Sequence, residues 1–244
     1  MKQSLYTVKT NEALTQDTYK MVLAGDTSAF TVAGQFVDIK IGELFLRRPL
    51  SLCDFDDESF TVLYRVVGKG TDVLKTMKPG DTLDVLTGLG NGFNLSKSGD
   101  RPLLIGGGLG ISPMYRLAKE LIAEGKHPVA VLGYNKKEEI FFADEFKALG
   151  IELYISTADG SVGTKGFVTD VIKNLSDYTY FYTCGPEPML KAVSLITDTE
   201  GELSFEARRG CGFGACMGCS RETKYGTKRI CKDGPVLTKE ELIW

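Results

Sequence analysis

The 244-residue chain has little of what would tie it to a membrane or to nucleic acid. No apolar run approaches the ~18 residues that cross a bilayer, and the opening MKQSLYTVKTNEAL lacks the continuous apolar core of a secretory leader, so the sequence reads as cytoplasmic. It carries no basic stripe and no acidic tail, and a net charge of -3 supplies no field to attract a polyanion. Histidine is nearly absent: the single one, His127, precedes a proline in a loop, where a surface role is expected rather than acid-base work. There is no internal repeat and no low-complexity tract. Apolar (43%) and charged (25%) shares are those of an ordinary globular protein, and the length suits about two compact domains.

What the sequence has is two rhythms and a tail. The segments YTVKTNEAL, TYKMVLAG, QFVDIKIG, RPLSLCDF, FTVLYRVV and DTLDVLTG follow one another at roughly ten-residue spacing, bounded by Gly, Asp and Pro, which predicts a small antiparallel β-barrel. After SKSGDRP the apolar strands PLLIGGG, HPVAVLGY, IELYIST and YTYFYTC alternate with helical stretches near 111–124, 138–149, 166–174 and 187–195. Strands alternating with helices predict an α/β domain with a doubly wound parallel sheet. From Gly201 neither rhythm holds, and a loop-rich tail of ~40 residues needs a metal or disulfide staple. The expected boundaries are 1–98, 99–200 and 201–244.

The tail carries that staple. Cys211, Cys216 and Cys219 follow the Cys-x4-Cys-x2-Cys spacing, with Cys231 further on, and this is the plant-type ferredoxin pattern for a 2Fe-2S cluster. Gly212, Gly214, Ala215 and Gly218 let the backbone wrap close to the thiolates. Four cysteines also satisfy a structural zinc ion, although zinc ribbons usually carry two Cys-x2-Cys pairs and Cys231 has no such neighbour. A carrier of single electrons needs a source.

In FLRRPLSLCDF, Arg47 or Arg48 can clamp a pyrophosphate, while the stiff Pro49-Leu50-Ser51 segment offers backbone N–H groups and a hydroxyl to a flat ring. YRVVGKGT then sets Gly68, Gly70 and Thr71 ahead of a short helical stretch, an arrangement suited to an anion. Further on, IGGGLGISPM puts Gly106, Gly107, Gly108 and Gly110 at a strand-to-helix turn, without the Gly-x-Gly-x-x-Gly spacing of the dinucleotide fingerprint. TCGPEPM ends the fourth parallel strand, where open α/β sheets bind ligands, so Cys184, Gly185 and Pro186 are candidate neighbours of a nicotinamide. Cys53, inside an apolar strand, is expected to be core. The loop GYNKKEEI offers Lys136 and Lys137 but no arginine, which favours NAD over NADP.

RPLS, YRVVGKGT, LGNGF, LLIGGGLGISPM and CGPEPM, in this order and followed by the cysteine tail, resemble the ferredoxin-NADP reductase superfamily. Within it the chain is similar over essentially its whole length to the electron-transfer subunits of type B dihydroorotate dehydrogenases. The resemblance implies an FAD-binding barrel, a nicotinamide dinucleotide domain and a 2Fe-2S domain held by Cys211, Cys216, Cys219 and Cys231. Arg48, Pro49, Leu50 and Ser51 would hold the isoalloxazine and pyrophosphate, Leu63, Tyr64 and Arg65 would line the flavin, and Gly70 and Thr71 would meet phosphates. TGLGNGF departs from the pattern, since Gly-Pro is expected ahead of the Leu-Gly.

NADH carries electrons in pairs, an iron-sulfur cluster carries them singly, and flavin handles both. The resemblance therefore implies an oxidoreductase subunit whose partner, an FMN-containing dihydroorotate dehydrogenase catalytic subunit assembled as two of each chain, sends electrons through the cluster and FAD to NAD+ in pyrimidine synthesis. Phe213 and Met217, beside the cysteines, are candidate interface residues. The alternatives are a similar subunit of an NADH-ferredoxin transhydrogenase, hydrogenase or sulfide dehydrogenase, and a zinc-stabilised binding module without redox function.

Overall fold

The computed structural model describes residues 1–244. All six alternating segments form strands: β1 (Lys2–Ala13), β2 (Thr18–Ala24), β3 (Phe36–Ile39), β4 (Arg48–Phe55), β5 (Ser59–Arg65) and, after the short helix α1 (Lys69–Leu74), β6 (Thr82–Leu89). They close into a barrel in the order β1-β2-β5-β4-β3-β6, with Lys2 of β1 opposite Thr87 of β6 at the seam. Closure removes the free edges that would otherwise invite pairing with another chain. Tyr6, Met21, Val37, Ile39, Leu52, Phe60, Val62 and Tyr64 fill the interior.

The second body is a sheet flanked by helices, formed by β7 (Leu103–Gly107), α2 (Ile111–Ala123), β8 (Val129–Tyr134), α3 (Ala143–Ala148), β9 (Glu152–Thr157), β10 (Thr164–Lys165), α4 (Val168–Ile172), β11 (Phe181–Cys184), α5 (Glu187–Ile196) and β12 (Gly201–Ser204). The tail adds the hairpin β13 (Ser220–Thr223) and β14 (Gly226–Arg229), then β15 (Val236–Thr238). The seven strands run β10-β9-β8-β7-β11-β12-β15, parallel except for β15. The boundary expected at 201 thus cuts through the sheet: β12 and β15 extend it, and only the residues between them form the separate cysteine-bearing lobe. The helix expected over 138–149 begins only at Ala143, because Phe142 sits at φ 62, outside helical geometry, so that both Phe141 and Phe142 are buried.

Contacts from helix α2 and from the loop 87–93 help fix the bodies to one another. Helix α2 buries Ile111, Met114, Leu117, Ala118 and Leu121 on one stripe, and its polar edge meets the barrel through Arg116, which pairs with Asp54 at 3.3 Å and stacks 3.9 Å over Phe55. The loop 87–93 clasps the tail: the Asn91 backbone N–H donates to the Gly234 carbonyl at 2.8 Å, its amide donates to the Val236 carbonyl at 2.8 Å, and its Oδ1 accepts from the Val236 N–H at 3.1 Å. No helix is long and apolar enough to cross a membrane.

Candidate functional site

Strand order reverses between β7 and β11, the switch point at which open α/β sheets leave a crevice. The glycine turn after β7 and the Cys184-Gly185-Pro186 turn after β11 are pressed together there. A Cβ on Gly110 would stand 2.1 Å from the Cys184 carbonyl oxygen, and one on Gly107 would stand 2.4 Å from the Met189 sulfur. Beside this contact lies a cavity of about 450 Å³, lined among others by Gly107, Gly108, Asn135, Ser156, Pro186 and Met189. The Ser156 hydroxyl is buried there without a partner, so the cavity wall presents a polar group ready for a ligand. Of the nicotinamide candidates, Gly107, Gly108 and Pro186 therefore face the cavity. Gly106 instead lies against Ile111, giving α2 room to pack, and the Cys184 thiol is buried. Burial, reinforced by the Glu206 carboxylate, pushes Cys184 far above the ordinary thiol range, so it stays protonated. Lys136 and Lys137 stand outside this cavity, while Glu139 lines it and accepts from the Asn135 amide at 2.8 Å.

A second cavity, about 200 Å³, opens where all three bodies meet. Pro49, Leu50, Ser51 and Leu63 line it from the barrel, Leu109 and Ser112 from the glycine turn, and Glu206, Ala207 and Arg209 from the tail. Ser112 is buried at this wall, its hydroxyl beside the Cys53 thiol and without a strong acceptor or donor among the protein groups. The two barrel stretches that suit a dinucleotide converge, since a Cβ on Gly70 would stand 2.4 Å from Nε of Arg48. Arg47 pairs with Asp84 at 3.0 Å and donates to the Asp84 and Asp38 carbonyls, whereas Arg48 donates Nη1 to the Leu46 and Arg47 carbonyls and makes no ion pair, so its charge stands beside the Gly70 turn without a carboxylate partner. The Thr71 hydroxyl closes its own turn, accepting from the Val67 N–H at 2.9 Å and donating to the Gly68 carbonyl at 3.0 Å.

Two of the residues named for the flavin, Tyr64 and Arg65, direct their side chains elsewhere than the small cavity. Along β5, side chains alternate between the barrel interior and its outer face. Leu63 faces the cavity, whereas Tyr64 points inward, stacks on Tyr19 at 5.6 Å and donates its hydroxyl to Asn11 Oδ1 at 2.8 Å. Arg65 faces outward on the rim of the larger cavity, 3.3 Å from Asp17 and 3.9 Å from Glu139.

In the tail the four cysteines stand as two pairs. Cys211 Sγ accepts the backbone N–H groups of Ala215 at 3.2 Å and Cys216 at 3.4 Å, while Cys219 and Cys231 bring their sulfurs to 3.2 Å. The chemistry of the four thiols suits a thiolate-held metal group. Burial pushes the Cys211 thiol up, but the N–H groups of Cys216, Phe213 and Ala215 outweigh it and bring it down to about 6. Burial pushes Cys231 up to about 12, and its hydrogen bond with Cys219 adds to this. Gly212 and Gly214 make the loop possible: both are left-handed, at φ 77 and 93, and a Cβ on Gly212 would stand 2.3 Å from the Asp38 carboxylate. Asp38, Asn91 and Arg209, which support this loop, were not legible in the sequence, because their roles arise from pairings across the whole chain.

Comparison with known proteins matches this anatomy. Residues 206–243 fit the family model described as the iron-sulfur cluster binding domain of dihydroorotate dehydrogenase B, and residues 104–195 fit the oxidoreductase NAD-binding domain. The chain is 44% identical over 258 residues to the electron transfer subunit of dihydroorotate dehydrogenase B (NAD(+)) from Geobacillus sp. (strain WCH70), covering 100% of this chain and 99% of that protein. It is likewise 44% identical over 251 residues to the Fusobacterium nucleatum protein of the same description, covering 97% and 96%. Among solved structures, an NADH-dependent reduced ferredoxin-NADP oxidoreductase superposes with a TM-score of 0.90 at 31% identity, covering 99% of this chain and 90% of that one. A ferredoxin NADP+ reductase from Neisseria gonorrhoeae shares the fold, with a TM-score of 0.68 at 19% identity over 79% of this chain and 89% of that one. The two cavities and the paired cysteines thus lie on a flavin-reductase fold with NAD-binding and iron-sulfur domains, and the chain belongs to the family of dihydroorotate dehydrogenase B electron transfer subunits.

Proposed function

We propose that this subunit holds the isoalloxazine end of FAD at the cavity shared by the three bodies, a 2Fe-2S cluster on Cys211, Cys216, Cys219 and Cys231, and NAD in the larger cavity at the switch point. When bound, flavin and cluster supply the exchange between paired and single electrons that nicotinamide alone cannot perform. The residues of this chain bind and orient. Arg48 neutralises phosphate beside Gly70, Pro49 to Ser51 and Leu63 form the bed for a flat ring, and Ser112 donates or accepts at the cavity wall. Glu139 suits a ribose hydroxyl and repels a 2′-phosphate, which favours NAD over NADP. The observation that carries the reading is the small cavity lined jointly by Ser51, Ser112 and Arg209, one residue from each body.

The partner is an FMN-containing subunit that oxidises dihydroorotate to orotate, assembled as two of each chain in the cytoplasm, with Phe213 and Met217 on the docking face. Both side chains are exposed beside the paired cysteines. The likeness to the ferredoxin-NADP oxidoreductase favours a second reading, a diaphorase subunit that keeps every cofactor and changes the partner. Co-expression with the FMN subunit discriminates: a copurifying complex that reduces NAD+ with dihydroorotate, and loses this with Cys219→Ser, supports the first reading. Failure of the chains to associate would overturn it.

A further inference from the structure

Arg209 lines the small cavity and brings a fixed positive charge to it. Its guanidinium carbon stacks 3.9 Å over the Phe36 ring, and Phe36 stands opposite Ser51 in the β3–β4 ladder, so the cation lies against the strand that beds the small cavity. Two residues further along the chain the cysteine loop begins. The charged and titratable groups that act on Arg209 are Cys231 and Cys219 of the tail, Glu206 of its own segment and Asp38 of β3. Asp38 Oδ1 is itself buried without a hydrogen-bond partner, and the Arg209 Nε likewise has none. The guanidinium makes one long bond, from Nη2 to the Phe205 carbonyl at 3.4 Å.

We propose that Arg209 is a positioning residue that sets the electron affinity of the cysteine-held group: a fixed cation that lines the flavin cavity and stacks on Phe36, a ring packed in one cluster with Cys219 and Cys231, and that favours uptake of an electron by the cluster. This rests on the 2Fe-2S reading above. Two ferric ions, two sulfides and four thiolates carry net negative charge, and one added electron makes that charge more negative by one. A half-buried cation offsets this increment more than one in open water, because less solvent screens it. Stacking on Phe36 holds the guanidinium in place through that change.

The test is an anaerobic dithionite titration of the purified holoprotein, followed by the electron paramagnetic resonance signal of the reduced cluster, in wild type, Arg209→Met and Arg209→Lys. Removing the charge should lower the reduced-to-oxidised ratio at fixed potential about tenfold, which is about 59 mV for a one-electron couple. Arg209→Lys should restore most of it. Loss of the cluster from Arg209→Met but not from Arg209→Lys would also support a role for the charge in holding an anionic group. Unchanged potential in Arg209→Met, or equal shifts or equal cluster loss in both variants, would overturn the proposal, since shape and not charge would then matter. A wild-type protein without any such signal would instead refute the 2Fe-2S reading itself.

Discussion

Arg48 lies across Gly70 so closely that the first carbon of any side chain there would stand 2.4 Å from Nε of the guanidinium. The contact joins the two barrel stretches that suit a pyrophosphate, and it depends on the absence of a side chain at position 70. Gly70→Ala should push Arg48 aside without unfolding the barrel, because a long side chain can move while a backbone cannot. FAD affinity, measured by release of flavin fluorescence on dilution, should fall about tenfold, as expected for loss of one charge-assisted contact. Wild-type retention in the variant would remove Arg48 from the site.

Gly110 meets backbone instead, 2.1 Å from the Cys184 carbonyl oxygen to its would-be Cβ. Neither partner can rotate away. Gly110→Ala should therefore destabilise the sheet domain by about 3 kcal/mol, the upper part of the range for overpacking, visible as an earlier thermal transition. A variant as stable as wild type would mean that the two turns are not locked together.

Tyr64 separates barrel architecture from flavin contact. Tyr64→Phe removes the hydrogen bond to Asn11, whose amide stays tied to the Leu74 and Met77 carbonyls and leaves Oδ1 unpaired. Stability should drop by about 1 to 2 kcal/mol while the flavin absorbance spectrum stays unchanged. A shifted spectrum with unaltered stability would place the ring at the flavin after all.

How much was legible in the sequence can be argued from these residues. The six barrel strands were visible because turn residues punctuate them at even spacing, and the cysteine spacing named its own chemistry. The inward direction of the Tyr64 side chain was not legible, because Phe60, Val62, Leu63 and Tyr64 are all buried and apolar character did not mark which parity faces inward. The choice between Arg47 and Arg48 turned on Asp84, 37 residues away, which no local pattern reveals. Strand β12 escaped notice because GELS is short and polar in sequence yet buried along its length, and its antiparallel neighbour β15 arrives only after the cysteine lobe.

Glu202 on β12 gives a pH signature. Burial chiefly, with the Glu241 carboxylate also contributing, holds its carboxyl above the ordinary 4.5, although the bond from the Asn94 N–H at 2.8 Å opposes this. The folded chain then binds more protons than the unfolded chain between 4.5 and the raised value, so stability falls as pH rises through that window. Glu202→Gln removes the penalty and keeps an acceptor for Asn94. Its melting temperature should exceed wild type at about pH 8, and the margin should narrow toward about pH 5. A margin independent of pH would show that ionisation of Glu202 carries no cost.

The central claim, that nicotinamide, flavin and cluster form one path within this chain, is tested most directly by an anaerobic NADH titration of the purified subunit with absorbance read across the visible range. Bleaching of a flavin band together with the broad iron-sulfur absorbance is the expected result. A flavin that bleaches without any cluster signal, or a colourless protein containing zinc and no iron, would contradict it.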